Sequence, residues 1–265
     1  MAILRKCLNV LQMKAGVILV DSLENYLKTF ITPQQGIKLQ YECRKCKDSG
    51  WILSHQNGNE EYKRCDCYKL RRAKELIERS GISKELCRMN FNNFDTRNNQ
   101  QLVNAKNKAI QYVNRFSEFE HERYNSILFC GQVGSGKTHL GTAICGMLMR
   151  SGVAVVYMAY RNVITRIKQN ITDEAEYTRE LNCYMQARVL YIDDLLKGKL
   201  TETDINIMYE IINYRYMNNL PVIISTEKKP EELIAFDEAV GSRLIEMCRG
   251  NIVLLTGKDL NYRLS

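Results

Sequence analysis

Apolar and polar positions follow two different periods along the second half of the chain. Five short runs are apolar at nearly every residue, which is typical of strands buried on both faces of a parallel sheet. These runs are SILFC at 126–130, VAVVYMAY at 153–160, RVLYID at 188–193, PVIIST at 221–226 and NIVLLT at 251–256. The gaps between them carry helical patterns, notably at 201–219. This alternation predicts an α/β fold in which helices cover a five-stranded parallel sheet.

The first part of the chain divides into shorter segments. Residues 1–40 carry leucines at helical spacing, and a charged helix is predicted at 69–81, where Gly81 is suited to end it. The asparagine-rich stretch at 89–100 is predicted to be extended. We therefore divide the chain into a helical segment at 1–40, a cysteine-rich module at 41–68, a helical and extended linker at 69–95 and an α/β domain at 96–265.

Composition places the chain among soluble globular proteins. Of its 265 residues, 45% are hydrophobic and 26% are charged. The longest apolar stretch near the start, AGVILV, is far shorter than the roughly 18 residues that span a bilayer, so no membrane partner is expected. Ten cysteines without a recognisable signal peptide predict a reducing, cytoplasmic location. The excess of 38 Lys and Arg over 30 Asp and Glu permits contact with nucleic acid, but a basic surface kept for solubility is an open alternative.

The sequence GQVGSGKTHL at 131–140 joins the first apolar run to a predicted helix. It matches the pattern G-x-x-x-x-G-K-[ST], in which backbone N–H groups and a helix N-terminus surround the phosphates of a nucleotide. Lys137 is predicted to reach the β- and γ-phosphates of ATP, and the hydroxyl of Thr138 to bind Mg²⁺. A glycine-rich turn without a ligand is the alternative. The predicted ATP contacts are Gly131, Gly134, Ser135, Gly136, Lys137, Thr138 and His139.

A pair of carboxylates ends the third apolar run. Asp193 directly follows the apolar residues and is predicted to hold Mg²⁺ together with Thr138. Asp194 stands where a general base orients the attacking water, so Asp194 and Lys137 are predicted catalytic residues. The alternative is that the two acids only cap the following helix.

Two later segments add candidates for hydrolysis. The run PVIIST ends in Ser225 and Thr226 and is followed by Glu227, which places polar groups near the γ-phosphate if this strand lies beside the phosphate-binding loop. The segment GSRLIEM carries Arg243 shortly before the last run. An arginine there can stabilise transition-state charge in a neighbouring subunit's site, as an arginine finger does. Surface arginines are common, so spacing alone leaves this role open.

Two close pairs of cysteines, CRKC at 43–46 and CDC at 65–67, are separated by 18 residues. Two such pairs supply the four thiolates of a tetrahedral zinc site, and so short a segment has too few apolar residues to fold without a metal. The predicted zinc ligands are Cys43, Cys46, Cys65 and Cys67. His55 is an alternative ligand. Trp51, Tyr62 and Tyr68 are predicted to pack around the metal, with stacking on nucleic-acid bases as the alternative.

Taken in order, the cysteine module, FNNF at 91–94, GQVGSGKTHL, YIDD, IIST and GSRLIEM resemble the DnaC/DnaI group of replicative-helicase loaders. These are AAA+ ATPases of bacteria, their phages and mobile elements. The likeness extends over about residues 40–257, and C-x-x-C followed by C-x-C is similar to the DnaI-like branch. It implies an AAA+ P-loop core with a parallel five-stranded sheet and a truncated lid, preceded by a small zinc-binding module.

The resemblance also carries roles onto single positions. Residues 131–138 match the Walker A loop, and Asp193 and Asp194 match Walker B. Arg243 matches the arginine of the box VII region, which implies a finger that acts on a neighbouring subunit. Arg249 is a weaker candidate for that role.

Two features depart from the broader AAA+ pattern. The sensor-1 segment often reads Thr-Ser-Asn, whereas this chain has Ser225, Thr226 and Glu227. A carboxylate cannot donate a hydrogen bond as an amide does, so hydrolysis is expected to be slow or differently gated. The sequence also offers no counterpart for the sensor-2 arginine of an AAA+ lid.

The function implied by the resemblance is ATP-dependent loading. The protein would bind the hexameric replicative helicase, help place it on single-stranded DNA, and form a homo-oligomer when ATP is bound. Cations at 161–168 are candidates for DNA contact, and a solvated helix face is an equal alternative. Three rivals remain: an IstB-like transposase-helper ATPase, which usually lacks a cysteine module; a metabolite kinase, which needs an arginine-bearing lid; and a nucleotide-gated adaptor with little hydrolysis.

Overall fold

The computed structural model describes residues 41–56, 59–257 and 260–264, with side chains left out at 54–56, 59 and 60. The helical segment predicted at 1–40 and the side chain of His55 lie outside the described part. Within it, no helix is both long and apolar enough to cross a membrane.

Helices and strands alternate along the described chain. The strands are β1 (Trp51–Gln56), β2 (Asn59–Arg64), β3 (Ile127–Gly131), β4 (Val155–Ala159), β5 (Val189–Leu195), β6 (Val222–Thr226) and β7 (Ile252–Leu255). The helices are α1 (Asp66–Arg79), α2 (Gln100–Phe119), α3 (Lys137–Arg150), α4 (Tyr160–Gln169), α5 (Glu174–Met185), α6 (Glu202–Met217), α7 (Pro230–Phe236) and α8 (Glu238–Met247). A short 3-10 turn covers Leu86–Arg88.

Strands β3 to β7 form one parallel sheet in the order β4-β5-β6-β3-β7. The five apolar runs therefore form the five-stranded parallel sheet that the sequence predicts, and the α/β fold class is confirmed. Strand β3 lies at an inner position, where Leu128 is opposite Ile224 of β6 and Ile252 of β7. Because the strands are parallel, the carboxyl ends of β3, β5 and β6 meet at one edge, where ligands bind in open α/β sheets.

Helices cover both faces of the sheet. One apolar cluster joins the sheet to α4, α5, α6, α7 and α8, and a second joins it to α1, α2 and α3. The side chains of Ile127, Phe129, Leu190 and Ile223 are fully buried, which explains why these strands lack apolar-polar alternation. Phe94, from the predicted linker, belongs to the second cluster.

The cysteine-rich module contains a hairpin that the sequence did not reveal. Strands β1 and β2 pair antiparallel, with Trp51 opposite Arg64, and the charged run NEEYKR of β2 gives no strand signal. The Arg64 guanidinium lies 3.8 Å from the ring centre of Trp51 and 4.2 Å from that of Tyr68. Trp51, Tyr62 and Tyr68 remain 43%, 71% and 39% exposed, so these rings are not core residues.

Arg215 of α6 joins three parts of the chain. Its side chain is fully buried, and burial lowers the pKa of its guanidinium to about 9. The guanidinium donates hydrogen bonds to main-chain carbonyl groups in the last turn of α5, just after that helix, and before β6. The acceptors are the oxygens of Tyr184, Met185, Ala187 and Pro221.

Candidate functional site

The loop between β3 and α3 curls at its glycines. Gly134 and Gly136 have φ angles of 72° and 85°, in the left-handed region that favours glycine. A Cβ atom on Gly136 would lie 2.6 Å from the ring of Phe94, so this position also lacks room for a side chain. Gly136 is the N-cap of α3, and the helix N-terminus therefore faces the loop.

Lys137 is 6% exposed at the start of α3. Its Nζ donates hydrogen bonds to the carbonyl oxygens of Gly131, at 2.9 Å, and Gln132, at 2.5 Å. Burial lowers the pKa of Lys137, and the carboxylates of Glu227 and Asp194 oppose this effect. The ammonium group is thus held inside the curl of the loop, where a lysine of this motif meets the β- and γ-phosphates.

Asp193, at the end of β5, accepts hydrogen bonds from four hydroxyl groups. Thr138 Oγ1 and Tyr191 OH each lie 2.9 Å from its Oδ1, and Tyr157 OH lies 3.0 Å from its Oδ2. Ser225 Oγ also donates to Oδ1. The predicted magnesium ligands Thr138 and Asp193 are therefore brought together, and their oxygen atoms are the ligand type that Mg²⁺ prefers.

The two tyrosines that hold Asp193 were missed because tyrosine in an apolar strand reads as a packing residue. Burial raises the pKa of both Tyr157 and Tyr191, and the negative charge of Asp193 raises it further. Both phenols therefore stay protonated near neutral pH and act as donors. Asp193 itself is only 7% exposed, so these hydrogen bonds replace its hydration.

Asp194 is partly exposed beside the loop. Its backbone has a φ of 56°, its N–H donates to Ser225 Oγ over 2.9 Å, and its Oδ2 lies 2.8 Å from Lys197 Nζ. The alternative that the acid pair caps the following helix is wrong, because Thr201 is the N-cap of α6 and accepts from the N–H of Asp204.

A cavity of about 440 Å³ opens beside the loop. Strand β6 lies next to β3, so Glu227 reaches this cavity as the sequence predicted. Lys197, which no motif singled out, forms an ion pair with Glu227 at 3.1 Å. The wall of the cavity includes Phe94, Asp95, Asp194, Lys197, Glu227 and Tyr262.

His139 lines the same cavity but is also bound to a neighbouring loop. Its Nε2 lies 2.9 Å from the carbonyl oxygen of Asn90 and 3.0 Å from Oδ1 of Asn93. Its ring meets that of Phe94 edge-on, with the centres 5.2 Å apart. Burial lowers the pKa of His139, which favours a neutral imidazole at pH 7. This ring therefore positions the FNNF segment against α3.

Residues 260–264 return to the phosphate-binding loop. The N–H of Tyr262 donates to the carbonyl oxygen of Gly134 over 3.0 Å, and Leu260 is buried. The Arg97 guanidinium lies 3.7 Å from the ring centre of Tyr262. This short segment borders the cavity on that side. These five residues are too few to carry a periodic signal by which the segment could have been found.

Arg243 lies on α8 and, within the described chain, is not among the residues lining the cavity. Its Nη1 donates to the carbonyl oxygen of Ala239 over 2.7 Å. Its guanidinium lies 5.3 Å from the ring centre of Tyr209 and 5.4 Å from that of Tyr216. Arg249, the weaker candidate, contacts the Tyr124 hydroxyl over 3.1 Å.

The cations at 161–168 contact other parts of their own chain. Arg161 donates to the carbonyl oxygen of Lys199 over 3.0 Å, and Arg166 forms an ion pair with Glu180. Lys168 lies 2.9 Å from Asp204. These contacts favour the reading of this segment as a helix face over a dedicated DNA surface.

The four predicted zinc ligands form a cluster. Any two of the thiol sulfurs of Cys43, Cys46, Cys65 and Cys67 lie within 4.8 Å of each other. Asp48 accepts hydrogen bonds from the backbone N–H of Cys43, at 2.9 Å, and Glu42, at 3.1 Å, which shapes the turn around the first pair. Four thiols this close are suited to bind one zinc ion.

Comparison with known proteins agrees with this geometry. The family described as the bacterial DnaA ATPase domain matches residues 87–248. The phage-like element PBSX protein XkdC of Bacillus subtilis is 38% identical over 241 residues, covering 88% of this chain and 90% of XkdC. The replicative helicase loader DnaC of Escherichia coli is 27% identical over 191 residues, covering 71% of this chain and 74% of DnaC. The chain belongs to the DnaC/DnaI-type AAA+ ATPase family.

A solved structure shows the same fold as this DnaC/DnaI-type chain. The crystal structure of DnaI superimposes with a TM-score of 0.52 at 21% identity, covering 68% of this chain and 95% of that one. The resemblance carried by the ordered motifs is therefore confirmed, and the AAA+ fold class with it. The relative XkdC is named as a protein of a phage-like element, which fits the expectation that members of this family occur in phages and mobile elements.

Proposed function

We propose that the chain is an ATP-dependent loader that binds a replicative DNA helicase and helps place it on single-stranded DNA. The observation that carries this proposal is the hydrogen bond of 2.9 Å from Thr138 to Asp193, which lies beside the buried Lys137. The chain with this site also belongs to the DnaC/DnaI-type family. Such a site binds a magnesium nucleotide, and the family relative DnaC is named for loading a helicase.

The residues of the site divide the work of ATP hydrolysis between them. Thr138 and Asp193 would hold Mg²⁺, which neutralises charge on the phosphates when it is bound. Lys137 binds and orients the β- and γ-phosphates. Asp194, beside the γ-phosphate end of the loop, accepts a hydrogen bond from the attacking water. ATP supplies the free energy that drives assembly or release of the partner.

Arg243 is proposed to act on a neighbouring subunit, which requires a homo-oligomer in the ATP-bound state. In this chain the guanidinium rests against Tyr209 and Tyr216, outside its own cavity. Basic residues of this chain, whose net charge is +8, would neutralise phosphates of the DNA backbone. The affinity for DNA would therefore fall as the salt concentration rises.

The cysteine cluster is proposed to bind one structural zinc ion. The hairpin of β1 and β2 exposes large side chains rather than burying them, so it has little core of its own. A metal would therefore supply its folding free energy. We assign to this module the contact with the helicase.

Two rival functions make different predictions. An IstB-like transposase helper would bind its transposase and not a helicase, and the cysteine cluster argues against it. A nucleotide-gated adaptor would bind ATP and its partner without measurable turnover, and Glu227 at the sensor-1 position favours this reading among the rivals.

The proposal is tested by light scattering after size exclusion. The protein is mixed with the replicative helicase of its host in the presence of Mg²⁺ and either ATP or ADP. We expect a complex whose amount differs between the two nucleotides, and no such difference for Lys137→Ala, which lacks the phosphate-binding ammonium. Lys199→Ala, an exposed lysine outside the cavity, should behave as wild type. Absence of a complex with either nucleotide would contradict the loader function.

A further inference from the structure

We propose that Lys197 is a second phosphate-binding lysine, which makes the site distinguish ATP from ADP. This inference rests on the proposed nucleotide site and concerns its γ-phosphate end. No motif contains Lys197, and its identity as a charged residue in a polar loop gave no functional signal.

The Lys197 ammonium lies between two carboxylates of the cavity. Its Nζ is 2.8 Å from Asp194 Oδ2 and 3.1 Å from Glu227 Oε1. These are the same two carboxylates whose charge acts on Lys137 inside the phosphate loop. The four groups therefore share one end of the cavity, at the place where the Walker A lysine meets the terminal phosphate.

The turn that carries Lys197 is fixed on both sides. Leu195 and Leu196 are 1% and 3% exposed, and Thr226 Oγ1 donates to the carbonyl oxygen of Leu195 over 2.8 Å. Asp194 and Leu196 have φ angles of 56° and 60°, which residues other than glycine rarely adopt. Strained backbone of this kind persists only where the surroundings hold it, and it is common at functional sites.

Charge explains why this lysine is needed. Asp193, Asp194 and Glu227 bring three negative charges to the site, and Lys137 supplies one positive charge inside the loop beside them. The triphosphate adds further negative charge even with Mg²⁺ bound. Lys197 offsets one carboxylate charge, and its three N–H donors outnumber the two acceptors that it now contacts.

Lys197 also compensates for the missing hydrogen-bond donor at the sensor-1 position. Glu227 stands where a side-chain donor is usual in AAA+ proteins, and a carboxylate has no proton to give. Here Glu227 instead holds an ammonium group that does have protons to donate. We therefore assign to the pair Glu227 and Lys197 the hydrogen bond to the γ-phosphate that a single amide makes elsewhere.

The test compares affinities for two nucleotides in the full chain. Isothermal titration with Mg²⁺ and either ADP or a non-hydrolysable ATP analogue gives the ratio of the two dissociation constants. For Lys197→Met we expect about a tenfold loss of affinity for the analogue, typical of one charge-assisted hydrogen bond, and a change for ADP within about twofold. Lys199→Met, two residues away and outside the cavity, should leave both values unchanged. Equal losses for both nucleotides, or no loss, would overturn the assignment.

A double variant separates donation from screening. If Lys197 only neutralises Glu227, then adding Glu227→Met, which removes the charge without adding a hydrogen-bond donor, to Lys197→Met should restore the preference for the ATP analogue. If Lys197 donates to the phosphate, the double variant stays as weak as Lys197→Met. We expect the second result, and restoration would refute the proposal. Lys197 is an exposed side chain, and Lys197→Gln gives an independent, polar replacement should the methionine disturb the turn.

Failure of the underlying nucleotide site gives a different pattern. In that case the wild type binds neither nucleotide, and the Lys137→Ala variant is indistinguishable from it. If the wild type binds both nucleotides and Lys137→Ala binds neither, the nucleotide site is supported. The Lys197 variants then test the role of Lys197 alone.

Discussion

The hydroxyl of Tyr157 donates a hydrogen bond to Oδ2 of Asp193 over 3.0 Å, from the neighbouring strand of the sheet. The other carboxylate oxygen receives Thr138, Tyr191 and Ser225. Among the described residues, Tyr157 is the one whose hydroxyl donates to Oδ2. This arrangement fixes the rotation of the carboxylate before any metal arrives.

Replacing Tyr157 with phenylalanine should therefore weaken binding of the magnesium nucleotide. Loss of one hydrogen bond to a charged group corresponds to about 1.5 kcal/mol, or roughly a tenfold rise in the dissociation constant. Titration of ATP with Mg²⁺, and again with EDTA, measures the part that depends on the metal. Tyr177→Phe is the matched control, because its hydroxyl contacts Glu210 over 3.0 Å outside the cavity. Equal affinities for the two variants would mean that the Tyr157 hydroxyl does not contribute to nucleotide binding and that its ring only contributes packing.

Arg243→Ala should retain ATP binding and lose hydrolysis. An arginine finger contributes on the order of 10³ or more to turnover, and a loss of at least about tenfold in phosphate release is expected. A mixture with Lys137→Ala supplies the decisive control. Each Lys137→Ala subunit offers an intact Arg243 to a neighbour whose own site is intact, so activity should partly return. Full activity of Arg243→Ala alone would make it a surface residue.

The cysteine cluster should contain one zinc ion per chain, measurable by elemental analysis of the purified protein. Cys67→Ser should lose the metal, whereas Cys183→Ser, at an exposed cysteine outside the cluster, should keep it. Chelation should raise hydrogen exchange in the hairpin of β1 and β2, because the metal supplies its folding free energy. ATP affinity should change little. Zinc-free protein with a protected hairpin would refute the assignment.

Arg215→Met should destabilise the fold without a direct effect on the nucleotide site. The substitution removes the guanidinium donor from four main-chain carbonyl groups that are buried or part-buried, and a loss of about 3 kcal/mol or more in the free energy of unfolding is expected. Urea unfolding measures this difference. Arg179→Met, at a side chain that is 77% exposed, should change the stability by less than about 0.5 kcal/mol. Similar midpoints for the two variants would show that Arg215 is not a main support of the fold.

The sheet and the phosphate loop could be predicted from sequence because each depends on local, repeated physical rules. Strands buried on both faces, such as that of Leu190 and Ile192, must be apolar throughout, and a loop like that of Gly136 and Lys137 requires fixed residue types. The strand ends differ from the predicted ones by one or two residues, because an apolar run does not determine where the hydrogen bonds between strands begin and end.

What could not be predicted depends on contacts between distant positions. Tyr157 and Tyr191 look like core residues until the sheet places their hydroxyls on Asp193. Lys197 looks like a solvated loop residue until β6 brings Glu227 within reach. The hairpin of β1 and β2 had no recognisable pattern because its large apolar side chains are exposed, so apolar positions do not mark a buried face.

Helix α1 connects the cysteine cluster to the strand that carries Tyr157. Its first turn contains Cys67 of the cysteine cluster. The carbonyl oxygen of its C-cap, Ser80, accepts a hydrogen bond from the main-chain N–H of Tyr157 over 2.7 Å. The same Tyr157 holds Asp193 through its hydroxyl. We therefore expect that binding of a partner to the cysteine module affects the Asp193 carboxylate, because one helix and two hydrogen bonds connect the two places. Faster hydrogen exchange of the Tyr157 amide when a partner binds would support this coupling, and unchanged exchange would contradict it.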